Sequence, residues 1–365
     1  MMFIDQQQPL DQAMERVAAQ PVVAVDTEAD SLHSYFDKVC LIQMSIPGED
    51  LIVDPLAKID LAKFGAVLGD RSVLKVLHGA DYDLRILNRD FGYTIGNLID
   101  TSVAAQLLGY EAIGLAALLE RHFGIKLDKS HQRADWAMRP LPRNMLEYAA
   151  TDTRHLIALA EKMRAELEAL GRWDWAMEEF ARLEAIRFEK EEPEEPFRRL
   201  KGLAVLDRRA LAVVQRLYDF RDALARKADR PPFKIFNNDI ILETARVKPQ
   251  NAQDLETVKV LPSSQRARYG RDFLRLVREA MALDDEALPQ KAEARPWIRD
   301  KALEARVNRL KTARDKVAKE LKIDPAVLAA RHILTGVAEA GNLDVPAMRE
   351  WQKRVVGDAL LRALS

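Results

Sequence analysis

Pro21-Val-Val-Ala-Val-Asp-Thr-Glu-Ala-Asp-Ser-Leu32 decides how the N-terminal half of this chain is read. The apolar run that ends at Val25 has the length and β-branched content of a short buried strand. Two acids follow at i and i+2, Asp26 and Glu28, positions that share a face on a strand. Neighbouring carboxylates repel and are costly near a core unless a cation neutralises them. A strand running out into a polar loop would carry the same residues. The pair therefore gains meaning from what the rest of the chain places beside it.

Outward from this run the pattern alternates. Val39–Ile46 and Leu51–Val53 read as two more strands with Pro47-Gly48 as the turn between them, an antiparallel meander. A helical pattern at 58–68 precedes a strand at Val73–Leu77. Helices are expected near 81–90, 101–108 and 113–123, and one long helix from about 142 to 169 after Pro140-Leu-Pro142. This order predicts an α/β domain, a mixed sheet with flanking helices.

Beyond Glu189-Lys-Glu-Glu-Pro-Glu-Glu-Pro196, acidic and punctuated by proline, the pattern is wholly helical: 207–227, 239–246, 251–257, 263–280, 300–321, 325–339 and 346–364. Arg221-Asp-Ala-Leu-Ala225 returns as Arg314-Asp-Lys-Val-Ala318, each followed seven residues later by a proline, Pro232 and Pro325. Two related all-α bundles fit that repeat, and chance likeness between helices is the alternative. The expected plan is a domain at 1–188, a linker at 189–197, a bundle at 198–282, a second linker at 283–299 and a second bundle at 300–365.

The chain has 365 residues, 48% apolar and 31% charged, enough for several cores. One cysteine, Cys40, excludes an intramolecular disulfide and a cysteine-built zinc cluster, and suits a reducing compartment. The N-terminus lacks the pattern of a secretory signal, and no apolar stretch approaches a membrane span, so a cytoplasmic protein is expected. The net charge of −1 hides a division. Residues 1–197 hold 21 basic and 34 acidic residues, and 198–365 hold 35 and 23. Most of the excess lies in 198–280, with 19 basic and 10 acidic residues. A basic module beside an acidic one suits a polyanion such as nucleic acid, although solvated or mutually attracting faces would give the same sums.

Two further segments place acids where a core is expected. Asp83 lies just past Val73–Leu77 in the opening turn of a helix, where Asp81 is the better cap and Asp83 leads Leu84, Ile86 and Leu87 inward. His78, at the strand end, reads as a structural hydrogen-bonded residue or a site residue. Tyr148 and Asp152, four apart, share a helix face with Met145, Ala149 and Leu156. Each signal alone has an ordinary explanation. Taken together, four carboxylates and no sulfur or nitrogen donors suit two Mg²⁺ or Mn²⁺ ions, the pair that hydrolyses phosphodiesters.

The order Asp26-x-Glu28, then His78-Gly-Ala-x-x-Asp83, then Tyr148-x-x-x-Asp152 resembles the three motifs of the DEDDy exonuclease superfamily. The block Leu127-Asp-Lys-Ser-His-Gln-Arg-Ala-Asp-Trp136, Arg139-Pro-Leu141 and Tyr148-Ala-Ala-Thr-Asp152 is similar to the ribonuclease D family. Residues 198–280 look like its HRDC domain, and 300–364 look like a second one, the looser match. The resemblance implies an RNase H-like fold and 3′→5′ hydrolysis releasing nucleoside 5′-monophosphates. It implies Asp26, Glu28, Asp83 and Asp152 as ligands of two divalent metal ions, and Tyr148 as the holder of the attacking water.

The expected substrate is RNA with a free 3′ end, structured or small, tRNA precursors foremost, cut by a monomer without an obligate protein partner or a membrane. Lys129, Arg133, Trp136 and Arg139, with His78, are candidates to grip phosphate or stack a terminal base. Trp136 as core and Arg139 in an ion pair are the alternatives. Arg266, Arg268, Tyr269, Arg271 and Arg275 suit tracking along RNA or a solvated helix face. Asp100 is expected to cap the helix that starts at Thr101. A DNA 3′→5′ exonuclease of the same superfamily, and an inactive fold that only binds nucleic acid, are the competing readings.

Overall fold

The apolar runs of the N-terminal half pair into one six-stranded mixed sheet. Its strands are β1 (Met2–Ile4), β2 (Val22–Ala29), β3 (Val39–Ile46), β4 (Glu49–Val53), β5 (Leu74–Leu77) and β6 (Leu98–Asp100), in the order β1-β4-β3-β2-β5-β6. β2, β3 and β4 form the expected antiparallel meander, while β1, β5 and β6 join in parallel. β3 is buried at every position, so it lies at the heart of the sheet. The structure is a computed structural model and describes residues 1–128, 130–190, 193–291 and 300–364. Glu191 and Glu192 of the first expected linker and 292–299 of the second lie outside the described residues.

The helices of this half are α1 (Gln7–Ala18), α2 (Ala62–Gly69), α3 (Asp81–Phe91), α4 (Thr101–Leu108), α5 (Leu115–Phe123), α6 (Arg143–Arg154), α7 (Leu156–Ala169) and α8 (Trp173–Glu184). Where one long helix was expected at 142–169, the chain breaks at His155, whose φ is −108°. No proline or glycine causes the break. α6 lies against β2, β3 and β4, whereas α7 turns to α4, β2 and β5. Thr153, fully buried, fixes the end of α6 through a 2.7 Å bond between its hydroxyl and that of Ser45, and Arg154 pairs with Asp50 at 2.7 Å. The two surfaces need different helix directions, a tertiary demand that helical periodicity does not record.

Two compact units result. One holds Met1–Ala29, Lys38–Phe188 and the described part of Ile298–Ser365; the other holds Asp30–Asp37 and the described part of Glu189–Trp297. The second unit is all-helical: α9 (Arg208–Lys227), α10 (Pro232–Ile235), α11 (Asn238–Val247), α12 (Ala252–Glu256) and α13 (Ser263–Met281). Its core gathers Val214, Leu217, Phe236, Ile241, Phe273 and Val277, and takes in Phe197 and Leu288 from the flanking segments. Tyr269 belongs to that core rather than to the exposed face of α13, where Arg268 and Arg271 lie in solvent. The Asp30–Asp37 segment is part of this unit through Tyr35, whose hydroxyl donates to Asp222 at 2.8 Å and whose backbone N–H donates to Asp229 at 3.0 Å.

α14 (Lys301–Leu321), α15 (Pro325–Leu328), α16 (Arg331–Ala340) and α17 (Glu350–Leu364) complete the first unit. They pack on α8. Trp351 stacks on Trp175 with ring centroids 4.9 Å apart, and Glu178 accepts the N–H groups of Glu350 and Trp351 at the start of α17. Arg172 joins the pieces by donating to the carbonyls of Leu107 and Leu321 at 2.7 and 2.6 Å.

The internal repeat has a physical basis. Arg221 and Arg314 are both buried, and each donates through Nη1 to the carbonyl fifteen residues on, Phe236 at 3.1 Å and Ala329 at 2.6 Å. Each carbonyl belongs to the extended residue that ends a one-turn, proline-initiated helix. A guanidinium with fixed donors can stop an orphan helix-end carbonyl that a shorter side chain cannot reach. Arg314→Met is expected to destabilise the C-terminal bundle by about 2–3 kcal/mol, since a charged hydrogen bond is lost and a buried carbonyl is stranded. Urea unfolding followed by the fluorescence of the Trp175–Trp351 stack would detect it.

Candidate active site

The site grows from the end of β2. Asp26 and Glu28 share one face of the strand, and the register slips between Glu28 and Ala29 as the pairing with β3 ends. Their partners come from two helices. α3 brings Asp83 in its first turn, and α6 brings Tyr148 and Asp152 one turn apart. One carboxylate oxygen from each of Asp26, Glu28 and Asp152 lies within 4.8 Å of the others. Asp83 stands beside this trio without joining it. Its Oδ1 accepts the hydroxyl of Thr27, the residue between the two β2 acids.

Asp100 sets the approach of α3. Its carboxylate caps α4 by accepting the N–H groups of Ser102 and Val103, as expected, and also accepts those of Gly79 at 3.0 Å and Ala80 at 2.8 Å. One buried acid thus pins the turn that leads into Asp83. Gly79 permits that turn with a φ of +71°. His78 sits in the same turn. Thr101 donates its hydroxyl to the Leu77 carbonyl and so accepts from His78 Nδ1–H at 2.9 Å. Burial lowers the affinity of His78 for a second proton. The ring is neutral, with Nε2 as a bare acceptor.

These side chains meet in a cleft of about 510 Å³ whose lining includes Asp26, His78, Tyr148 and Asp152, with the opening turn of α5 at Leu115–Ala117 and with Asp128 and Gln132. Burial pushes every carboxylate up, and the neighbouring acids add to the rise at Asp26 and Glu28. Glu28 reaches about 9, through burial and then the charges of Asp152 and Asp83. Burial raises Asp152 to about 7 and Asp83 to about 6. Asp26 lies well above the usual range, through burial and then Asp83, Asp152 and Glu28. Tyr148 is raised too, by burial and then Asp152 and Glu28, and stays a phenol. Buried carboxylates gathered this closely offer hard oxygen donors that fit divalent cations.

The other candidates divide. Arg133 is exposed, and Lys129 lies outside the described residues. Trp136 and Arg139, expected as possible substrate contacts, are built into the fold. Trp136 is 1% exposed under α6, with its ring 6.1 Å from that of Tyr148, so it backs the tyrosine instead of offering a stacking face. Arg139 forms a two-pronged pair with Asp54, both contacts 2.6 Å, and donates to the carbonyls of Cys40 and Trp136 at 2.7 Å. It fastens the Trp136 loop to the sheet. Thr27, Thr101 and Asp54 were not singled out in the sequence, because their roles depend on partners 56, 23 and 85 residues away.

A mixed sheet with acids at the end of its central strand and on two flanking helices defines a 3′→5′ exonuclease domain. The 3′-5′ exonuclease family model matches residues 1–168, and the HRDC domain model matches 210–277. Ribonuclease D of Nitrobacter hamburgensis is 32% identical over 349 residues, 95% of this chain and 90% of its own length. Ribonuclease D of Escherichia coli K12 is 34% identical over 278 residues, 76% of this chain and 74% of its own. The crystal structure of Escherichia coli RNase D, described as an exoribonuclease involved in structured RNA processing, superposes with a TM-score of 0.73 at 28% identity, covering 100% of this chain and 98% of that one. A protein from Bifidobacterium adolescentis gives 0.85 at 29% identity, covering 100% and 97%. The chain belongs to the ribonuclease D family and is a hydrolytic 3′→5′ exoribonuclease. Among the described residues no helix is long and apolar enough to cross a membrane.

The raised carboxylates fix a pH dependence. In the folded chain they hold protons that the unfolded chain releases near pH 4, so the metal-free protein loses stability as pH rises through about 6, 7 and 9. A cation needs the ionised forms and counters the loss. Melting temperature in chelator is expected to fall from pH 6 to pH 9, and the rise on adding Mn²⁺ to grow over the same range. Asp26→Asn should flatten both trends. A Mn²⁺ effect independent of pH would contradict the assignment of these shifts to the site.

Proposed function

We propose that Asp26, Glu28, Asp83 and Asp152 bind two divalent ions, Mg²⁺ or Mn²⁺. With them the chain shortens structured RNA from its 3′ end, tRNA precursors foremost, releasing nucleoside 5′-monophosphates. The observation that carries this reading is the Asp26, Glu28 and Asp152 trio, with its oxygens within 4.8 Å of one another. When bound, such ions would supply water activation and charge stabilisation at the departing 3′-oxygen.

The chain's own groups do the rest. Glu28 and Asp26 hold position because both are paired with β3, while β5 anchors the start of β2 at Val22–Ala24. Asp83 keeps Oδ1 on Thr27 and has Oδ2 for ligation. Tyr148, protonated across the working pH range, orients the attacking water by hydrogen bonding and does not act as its base. His78 offers its Nε2 lone pair to a hydroxyl of the terminal ribose, a contact that needs a neutral ring. Arg133, exposed near the cleft-lining Gln132, suits a phosphate contact, and Lys129 is proposed for the same work. The basic α13, with Arg268 and Arg271 in solvent, suits holding the RNA body. The cytoplasm is the proposed compartment, and a monomer the proposed working form.

Tyr148→Phe is expected to lower kcat on the order of 100-fold with KM little changed, since a misplaced water costs rate and not binding. Single-turnover kinetics separates the two, and a change confined to KM would remove the water-holding role. The function itself is tested by incubating a 3′-extended tRNA precursor with the protein and Mg²⁺ or Mn²⁺, with Asp26→Asn as the blank. Stepwise shortening to a stop near the mature end, with nucleoside 5′-monophosphates released, is expected. Products with a terminal 3′-phosphate, or equal turnover of matched DNA, would overturn the proposal.

A further inference from the structure

At the centre of β3 stands a glutamine where a strand covered by a helix calls for an apolar side chain. Gln43 has no exposed surface, and neither its amide oxygen nor its amide nitrogen meets a hydrogen-bond partner. A primary amide brings two donors and two acceptor lone pairs, and a buried one left unpaired is among the costlier defects of a fold. Leucine or methionine would fill the same volume without that cost. A residue that opposes the stability of its own strand points to a partner that arrives in another state of the site.

The neighbours identify the partner. Gln43 is the cross-strand partner of Asp26. Directly opposed residues of an antiparallel pair share a face, with Cβ atoms about 4.5–5.5 Å apart, inside the reach of a glutamine. On its other side Gln43 pairs with Ile52 of β4. Leu41 and Ile52 pack with Met145 and Ala149 of α6, and Ser45 bonds Thr153 beside Asp152. The amide is therefore enclosed between Asp26 and the turn of α6 that carries Asp152.

We propose that Gln43 is a positioning residue for Asp26: its side-chain NH₂ donates to the carboxylate oxygen of Asp26 turned away from a bound divalent ion, and holds that carboxylate in its ligating orientation. The inference rests on the reading of Asp26 as a metal ligand. Groups behind a metal ligand fix its rotamer and keep it in its anionic form, and their loss typically costs about 10–100-fold in metal affinity.

Full-length Gln43→Met separates this role from a structural one, with Gln43→Leu as a second apolar variant. Both are compared with the unsubstituted chain by melting temperature in chelator and by the Mn²⁺ concentration that gives half of the metal-induced rise. The expected result has two parts that pull in opposite directions. The variants melt a few degrees higher in chelator, because the orphaned amide is gone, and need at least ~10-fold more Mn²⁺. Lower melting in chelator, or an unchanged Mn²⁺ requirement, overturns the proposal and leaves the metal site intact. Absence of any Mn²⁺-induced rise in the unsubstituted chain overturns the metal reading on which it rests.

Discussion

Four carboxylates held together in a place poor in water are the constraint on which the rest of this structure turns. Left alone, Asp26, Glu28, Asp83 and Asp152 repel one another and keep protons far above their ordinary range. A flexible frame would let them part. The frame here is stiff on each side: β2 is paired with β3 and β5, Asp100 pins the turn into α3, and the Ser45–Thr153 bond seats α6 on the sheet. The break at His155 follows from the same demand, since α6 must serve the site while α7 serves the core.

The elements around that frame were legible where periodicity is strong and length sufficient. β3 spans Val39–Ile46 as expected, and α9, α11, α13 and α14 begin and end within two residues of the expected limits. β6, three residues long, carries too short a pattern to stand out. α1 and α8 have clear apolar faces, Leu10-Ala13-Met14-Val17 and Trp175-Ala176-Phe180, that were not followed. The helix break was illegible for a different reason: it records which surface each half packs on.

The candidate site shows the same split. Its acids stood out because charge at the end of an apolar run is locally anomalous, and their order in the chain matches a family pattern. Trp136 and Arg139 went the other way: a tryptophan and an arginine in a loop near a catalytic helix suggest contact with substrate, yet a tryptophan at 1% exposure and a guanidinium on Asp54 serve the loop itself. Gln43 was the overlooked signal. A lone amide in the middle of Val39-Cys-Leu-Ile-Gln-Met-Ser-Ile46 interrupts the apolar run of a strand that is buried throughout. The buried arginines of the repeat are a parallel case, polar groups inside a core that mark a specific carbonyl to be satisfied.

The four acids repel one another, and the proposed divalent ions would make their gathering tolerable. The most direct measurement of that claim is anomalous scattering from crystals of the full chain soaked in Mn²⁺, with and without a nucleoside 5′-monophosphate. Two peaks about 4 Å apart, bounded by Asp26, Glu28, Asp83 and Asp152, with Asp83 turned to offer Oδ2, are the predicted result. An empty cluster in crystals that take up Mn²⁺ at other positions would contradict it.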